Sequence, residues 1–105
     1  MPNATLEQAT ETKVDHLPPH VVLLWNSDVH TPDFVANLLM EVCKMSEKDA
    51  VKTTIEVHEK GKAVVWRGHL ELCELKVEQI QTKRDNVAIE AGAPNVPLEA
   101  TIAAG

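Results

Sequence analysis

Five consecutive apolar residues, Val21, Val22, Leu23, Leu24 and Trp25, stand between the pair Pro18 and Pro19 on one side and Asn26 on the other. The run is rich in β-forming residues and too short for an amphipathic helix, so it reads as a buried strand. A buried strand needs partners beside it and a second layer to cover the sheet. A chain of 105 residues can build one such core, burying roughly two thirds of the surface that its unfolded form exposes. That leaves one small domain, without the depth for a large multi-substrate catalytic cavity.

The rest of the chain divides around this strand. Residues 1–19 are polar, lack apolar periodicity and read as a flexible arm, leaving 20–105 as the core domain. Asn26 to His30 is a polar loop, and Thr31 followed by Pro32 marks a helix start, with a threonine cap and proline at the first helical position. Phe34, Val35, Leu38, Leu39 and Val42 fall on one face of that helix. Ser46 to Asp49 resembles a capping box with Asp in the Glu position. It opens a second helix carrying Ala50, Val51, Thr54, Ile55 and Val57, with Gly61 placed to end it.

KAVVWR over 62–67 reads as a second strand, its core residues being Val64 and Trp66 or their neighbours. Leu70, Cys73, Val77 and Ile80 then place a third helix that ends near Arg84. Residues 85–97 contain two prolines and a glycine among small residues and read as a connection, with Lys83, Arg84 and Asp85 solvated. Leu98 to Ile102 is the last strand. The order β-α-α-β-α-β predicts a two-layer α+β fold, a three-stranded sheet packed on helices. Trp25 and Trp66 are expected on the strands, each indole N–H satisfied at an edge.

Charge narrows the function classes. Ten Lys and Arg stand against sixteen Asp and Glu, a formal net charge of −6, which leaves no basic stripe for tracking phosphates and disfavours nucleic acid as a partner. An acidic surface suits partners with positive charge, a free peptide N-terminus among them. Cys43 and Cys73 sit in apolar-periodic segments without zinc-site spacing and read as reduced core thiols. No run approaches the ~18 apolar residues of a membrane span, and no basic-then-apolar leader is visible, so the cytoplasm is the expected compartment.

Chemistry is most concentrated in the loop Asn26, Ser27, Asp28, Val29, His30, between a buried strand and a helix start. His58, at the end of the second helix, can face the same region. An Asn carbonyl, an Asp carboxylate and an imidazole nitrogen together match the three N–H donors and positive charge of an α-amino group. The same residues also read as ordinary turn residues and a helix-end histidine. Asp28, His30 and His58 could alternatively be metal ligands, although their spacing is not that of a zinc motif.

The succession VVLLWNSDVHTPDFV, MSEKDAVKTTIEVHEKGKAVV, ELKVEQIQ and PLEATI resembles the ClpS family, the adaptors of the bacterial N-degron pathway. Its most specific element is the Asn-x-Asp loop before the first helix paired with VHxxGKA after the second. The resemblance implies a monomeric, non-enzymatic adaptor, needing no cofactor. Such an adaptor binds proteins by a destabilising N-terminal residue and delivers them to an AAA+ unfoldase of the ClpA or ClpC type for proteolysis by ClpP. It assigns the α-amino group to Asn26, Asp28 and His58, and a peptide-backbone contact to His30. The pocket for the first side chain falls to Pro32, Val35, Leu38, Thr54, Val57 and Leu98. The unfoldase-facing surface falls to Glu71 and Lys76, and the arm becomes the extension engaged during delivery.

Three departures from the family pattern stand out. Ser27 replaces the first acid of the usual loop, Pro32 and Thr54 replace pocket-closing methionines, and the connection before Leu98 is longer. The methionine replacements predict altered or broadened first-residue specificity, towards Ile or Val. A non-catalytic structural or ribosomal interaction module is the alternative, because the C-terminal domain of the ribosomal stalk protein has a related small fold.

Overall fold

The computed structural model describes residues 18–105, so the arm expected over 1–19 lies almost wholly outside the described residues. In chain order the elements are β1 (His20–Trp25), α1 (Pro32–Val42), α2 (Glu47–Lys60), β2 (Lys62–Gly68), α3 (Leu70–Thr82), α4 (Asn86–Glu90) and β3 (Ala100–Ala104). The sheet has the order β2-β1-β3, with both pairings antiparallel. The apolar run therefore takes the central strand, the position its composition demands. Val22 and Leu24 of β1 are fully buried in a core shared with Leu38 and Leu39 of α1, Val57 of α2 and Cys73 and Ile80 of α3. Full burial of a Leu or Ile side chain stabilises by about 1.5–3 kcal/mol, so these few residues supply much of the energy that joins sheet and helices.

Local signals place the helices where the sequence predicts them. Thr31 caps α1, its hydroxyl accepting from Phe34 N at 3.2 Å, with Pro32 in the first turn. Ser46 caps α2 by accepting from Asp49 N. Gly61 ends that helix at φ 88°, a left-handed conformation that suits glycine. The third helix stops at Thr82, two residues short of Arg84, and Leu70 at its start is exposed rather than core.

One strand expectation is decided between its alternatives and two need correction. On β2 the core residues are Ala63 and Val65, whereas Val64 is 52% exposed. Pairing of Leu24 with Ala63 puts Ala63 on the face of Leu24, and an irregularity beside Val22 and Leu23 leaves Val65 without a register partner on β1. Trp66, opposite Val22, still packs against the core. β3 runs over Ala100–Ala104 rather than 98–102, which frees Leu98, only 1% exposed, to fill space beneath the sheet's end. Trp25 donates its indole N–H to Thr101 Oγ1 at 2.8 Å, but the buried indole N–H of Trp66 has no partner among the described residues.

Two charged residues expected at the surface are inside. Lys76 is 8% exposed; its Nζ donates to Val42 O at 2.8 Å and lies 4.3 Å from the Trp66 ring centroid. It satisfies a terminal carbonyl of α1 and rests its charge on an aromatic face, which accounts for its inward turn. Asp85 is also buried, and its Oδ1 accepts from Ala88 N at 3.1 Å as the cap of α4. That short helix lies in the stretch expected to be a plain connection.

Candidate functional site

A cavity of about 200 Å³ opens where β1 ends, between the first turn of α1 and the last two turns of α2. Leu24, Val35, Val57 and Leu98 supply buried apolar walls. Asn26, His30, Pro32, Thr54, Ile55 and His58 complete it with Trp25 and Ser27. Two main-chain bonds fix this arrangement. Trp25 N donates to Glu99 O at 3.0 Å, and Asn26 N donates to Gly61 O at 2.9 Å. The second bond ties the start of the polar loop to the glycine that ends the helix of His58, bringing two distant acceptors to one opening.

Eight sequence-predicted residues meet at this cavity: Asn26, His30, Pro32, Val35, Thr54, Val57, His58 and Leu98. Leu38 does not. It is 2% exposed in the central core and is not among the residues that line the cavity. Asp28 is exposed on the same loop, outside the lining. Leu24, Trp25, Ser27 and Ile55 belong to the lining without having been assigned to it. Leu24 and Trp25 could have been found from chain position alone, since they immediately precede Asn26.

The loop is ordered from within. Val96 O can only accept, so His30 Nε2, 2.9 Å away, carries the proton. His30 Nδ1 is hydrogen-bonded to the Ser27 hydroxyl at 2.6 Å, while Ser27 Oγ takes Val29 N–H at 3.2 Å. The ring also stacks on Phe34, centroids 5.5 Å apart. Ser27, where the family pattern has an acid, thus organises the loop through the His30 imidazole. Both ring nitrogens of His30 are engaged within the protein. Thr54 is similarly committed, its hydroxyl donating to Ala50 O at 2.7 Å.

One residue further along, Thr31 N and Oγ1 donate to Asp85 Oδ2 at 2.7 and 2.9 Å. Burial acts to raise the Asp85 pKa, but the Thr31 and Ala88 amides, the Thr31 hydroxyl and the nearby His30 together hold it below the ordinary carboxylate value. The sequence does carry a signal for Asp85, an aspartate preceding the apolar residues Val87 and Ala88 as a helix cap would.

The cysteines behave as core thiols. Burial pushes Cys43 up to about 11 despite the opposing effect of Lys76, and burial likewise raises Cys73, so neither is a thiolate nucleophile at neutral pH. Among the described residues no three His, Cys, Asp or Glu side chains group as metal ligands; Asp28, His30 and His58 therefore do not form a metal centre. Among the described residues, too, no helix is long and apolar enough to cross a membrane. What the site offers is an apolar cavity with hydrogen-bond acceptors at its rim.

Comparison with known proteins gives this arrangement its family. Residues 15–101 match the family model described as the ATP-dependent Clp protease adaptor protein ClpS. The chain is 32% identical over 100 residues to the ClpS adapter protein of Thermosynechococcus vestitus, covering 94% of this chain and 98% of that one. With the ClpS adapter protein of Campylobacter jejuni it shares 30% identity over 99 residues, 93% and 92% of the two chains. Among solved structures, Agrobacterium tumefaciens ClpS2 bound to L-phenylalaninamide superposes with a TM-score of 0.66 at 28% identity, covering 84% of this chain and 98% of that one. The small α+β domain is thus a member of the ClpS family, the adaptors of the ATP-dependent Clp protease.

Proposed function

We propose that this adaptor captures proteins by a destabilising N-terminal residue and delivers them to an AAA+ unfoldase of the ClpA or ClpC type for degradation by ClpP. The observation that carries the reading is an apolar cavity whose opening holds Asn26 and His58, with Asp28 exposed on the adjoining loop. An α-amino group has a positive charge and three donors, and these three side chains can accept them while the first side chain enters the cavity. The ligand of the Agrobacterium tumefaciens ClpS2 structure, L-phenylalaninamide, has this same combination of free amine and apolar side chain, which supports the reading.

First-residue selectivity is proposed to differ from a methionine-closed pocket. Pro32 and Thr54 are shorter than methionine and both line the cavity, leaving width for β-branched Ile or Val or for relaxed size selection. Glu71, exposed on α3, is the proposed unfoldase contact. Buried Lys76 is not part of that surface. The adaptor is proposed to act as a cytoplasmic monomer.

Fluorescence anisotropy with short peptides differing only in the first residue, each with a free and an acetylated N-terminus, tests both parts. Binding that requires the free amine supports N-degron capture; equal binding of the acetylated peptides overturns it. Rejection of Ile and Val combined with equal affinity for Leu, Phe, Tyr and Trp would overturn the altered selectivity alone.

A further inference from the structure

The excursion from Asp85 to Val96 begins and ends on consecutive residues of the cavity segment. Asp85 holds Thr31, and Val96 O holds His30. His30 and Pro32, on either side of Thr31, line the cavity, and Leu98 lines it two residues beyond Val96. The geometry points to Asp85 as a positioning residue for the first-residue cavity, acting through Thr31 to set the placement of His30, Pro32 and Leu98. This inference rests on the proposed N-degron reading for its effect on selectivity.

The chemistry of Asp85 argues for more than filling space. A carboxylate at 4% exposure is costly to bury without compensation, and among the described residues it has no salt bridge. Three donated hydrogen bonds compensate it, together with its place at the start of α1, where a helix dipole favours negative charge. Thr31 is already satisfied as a helix cap through Phe34 N, so α1 does not require Asp85 to begin. What Asp85 adds is a fixed distance between the start of α1 and the connection that carries Leu98. An apolar substitution there leaves the Thr31 amide unpaired and releases one end of the excursion while the other remains on His30.

The test compares wild type with Asp85→Ala, Asp85→Asn and Thr31→Val, first without peptide. Imidazole nitrogen chemical shifts should report the Nε2–H tautomer of His30 in wild type and its partial loss in Asp85→Ala. Asp85→Asn keeps an oxygen for Thr31 and should retain the tautomer, although the amide cannot accept from Ala88 N. Thr31→Val removes the hydroxyl's bond to Asp85 together with the cap bond from Phe34 N, keeps the amide bond to Asp85, and remains informative if Asp85→Ala fails to fold. With peptides, Asp85→Ala should change the affinity ratio between Ile- and Phe-starting ligands by about fivefold or more, and Asp85→Asn should restore it. An unchanged His30 tautomer in Asp85→Ala and Thr31→Val would overturn the positioning role whatever the peptides do. If wild type itself ignores free amines, the N-degron reading fails, while the tautomer measurement still decides the role of Asp85.

Discussion

The main-chain N–H of Asn26 donates to the carbonyl of Gly61 at 2.9 Å, so the loop that follows β1 and the glycine that ends α2 move as one. Gly61 lies three residues after His58, which makes this bond the frame for two of the three proposed amine acceptors. Replacement of the Asn26 side chain leaves the frame intact.

Asn26→Ala, Asp28→Ala and His58→Ala are therefore expected to weaken binding of free-amine peptides by about 1–3 kcal/mol each, the size of a lost charge-assisted hydrogen bond. All three side chains are exposed, so thermal stability should stay near that of wild type. Anisotropy titrations beside melting curves check both halves. Loss of binding accompanied by loss of folding would speak against a direct role.

Cavity size should be adjustable at Thr54 and Pro32. Thr54→Met adds a long flexible side chain to a wall of the roughly 200 Å³ cavity, and a methylene more or less in an apolar pocket changes selectivity by about 10- to 200-fold. We expect Ile- and Val-starting peptides to lose affinity relative to Leu-starting ones in Thr54→Met and further in the double variant with Pro32→Met. Competition titrations measure the ratio.

On α3, Glu71 and Lys76 should separate. Glu71→Ala is expected to weaken unfoldase binding with little change in denaturant midpoint. Lys76→Ala removes the donor to Val42 O and the cation over Trp66, costing about 1–3 kcal/mol of stability. Lys76→Met retains the apolar stem and should recover part of that loss. Urea unfolding and unfoldase pull-down on the same proteins distinguish the two effects.

Acid should expose the contribution of Asp85. Its folded-state pKa lies below the unfolded value, so its stabilisation is complete above the unfolded carboxylate pKa of about 3.9 and is lost as pH falls through the lower folded one. Melting temperatures measured from neutral pH down to about 2 should fall less steeply for Asp85→Asn than for wild type. The neutral-pH melting point of the variant should already be lower.

Cys43 and Cys73 should resist modification in the folded state. Both are buried and their pKa values are raised by burial, so a thiol-reactive disulfide reagent at neutral pH should react only as fast as the protein unfolds. Rapid labelling of the native protein would contradict this.

What the sequence makes legible depends on the reach of the interactions. The caps Thr31 and Ser46 and the terminator Gly61 act within four residues, and their positions can be read directly. The apolar wall residues Val35 and Val57 follow from helical periodicity. The choice between Val64 and its neighbours stays open in the sequence because which side of β2 is buried depends on its register with β1 and the irregularity beside Leu23, a property of two strands rather than one. For Leu38, helical periodicity marks an inward residue without saying whether it meets the cavity or the core. Lys76 and Asp85 are charged and so read as solvated, yet their partners Val42 O and Thr31 lie 34 and 54 residues away. Only the folded chain brings those partners into reach.

The pairing of β1 with β3 joins His20 to Ala104, and Gly105 N reaches back to Pro19 O. During synthesis β1 must consequently wait for β3, about 75 residues later, before its second edge is covered. Leu98, the wall residue next to that late strand, arrives at the same moment. A nascent chain halted before it has the proposed amine acceptors of the loop and α2 but lacks this wall of the cavity, so the proposed capture of a client is expected only once β3 is in place.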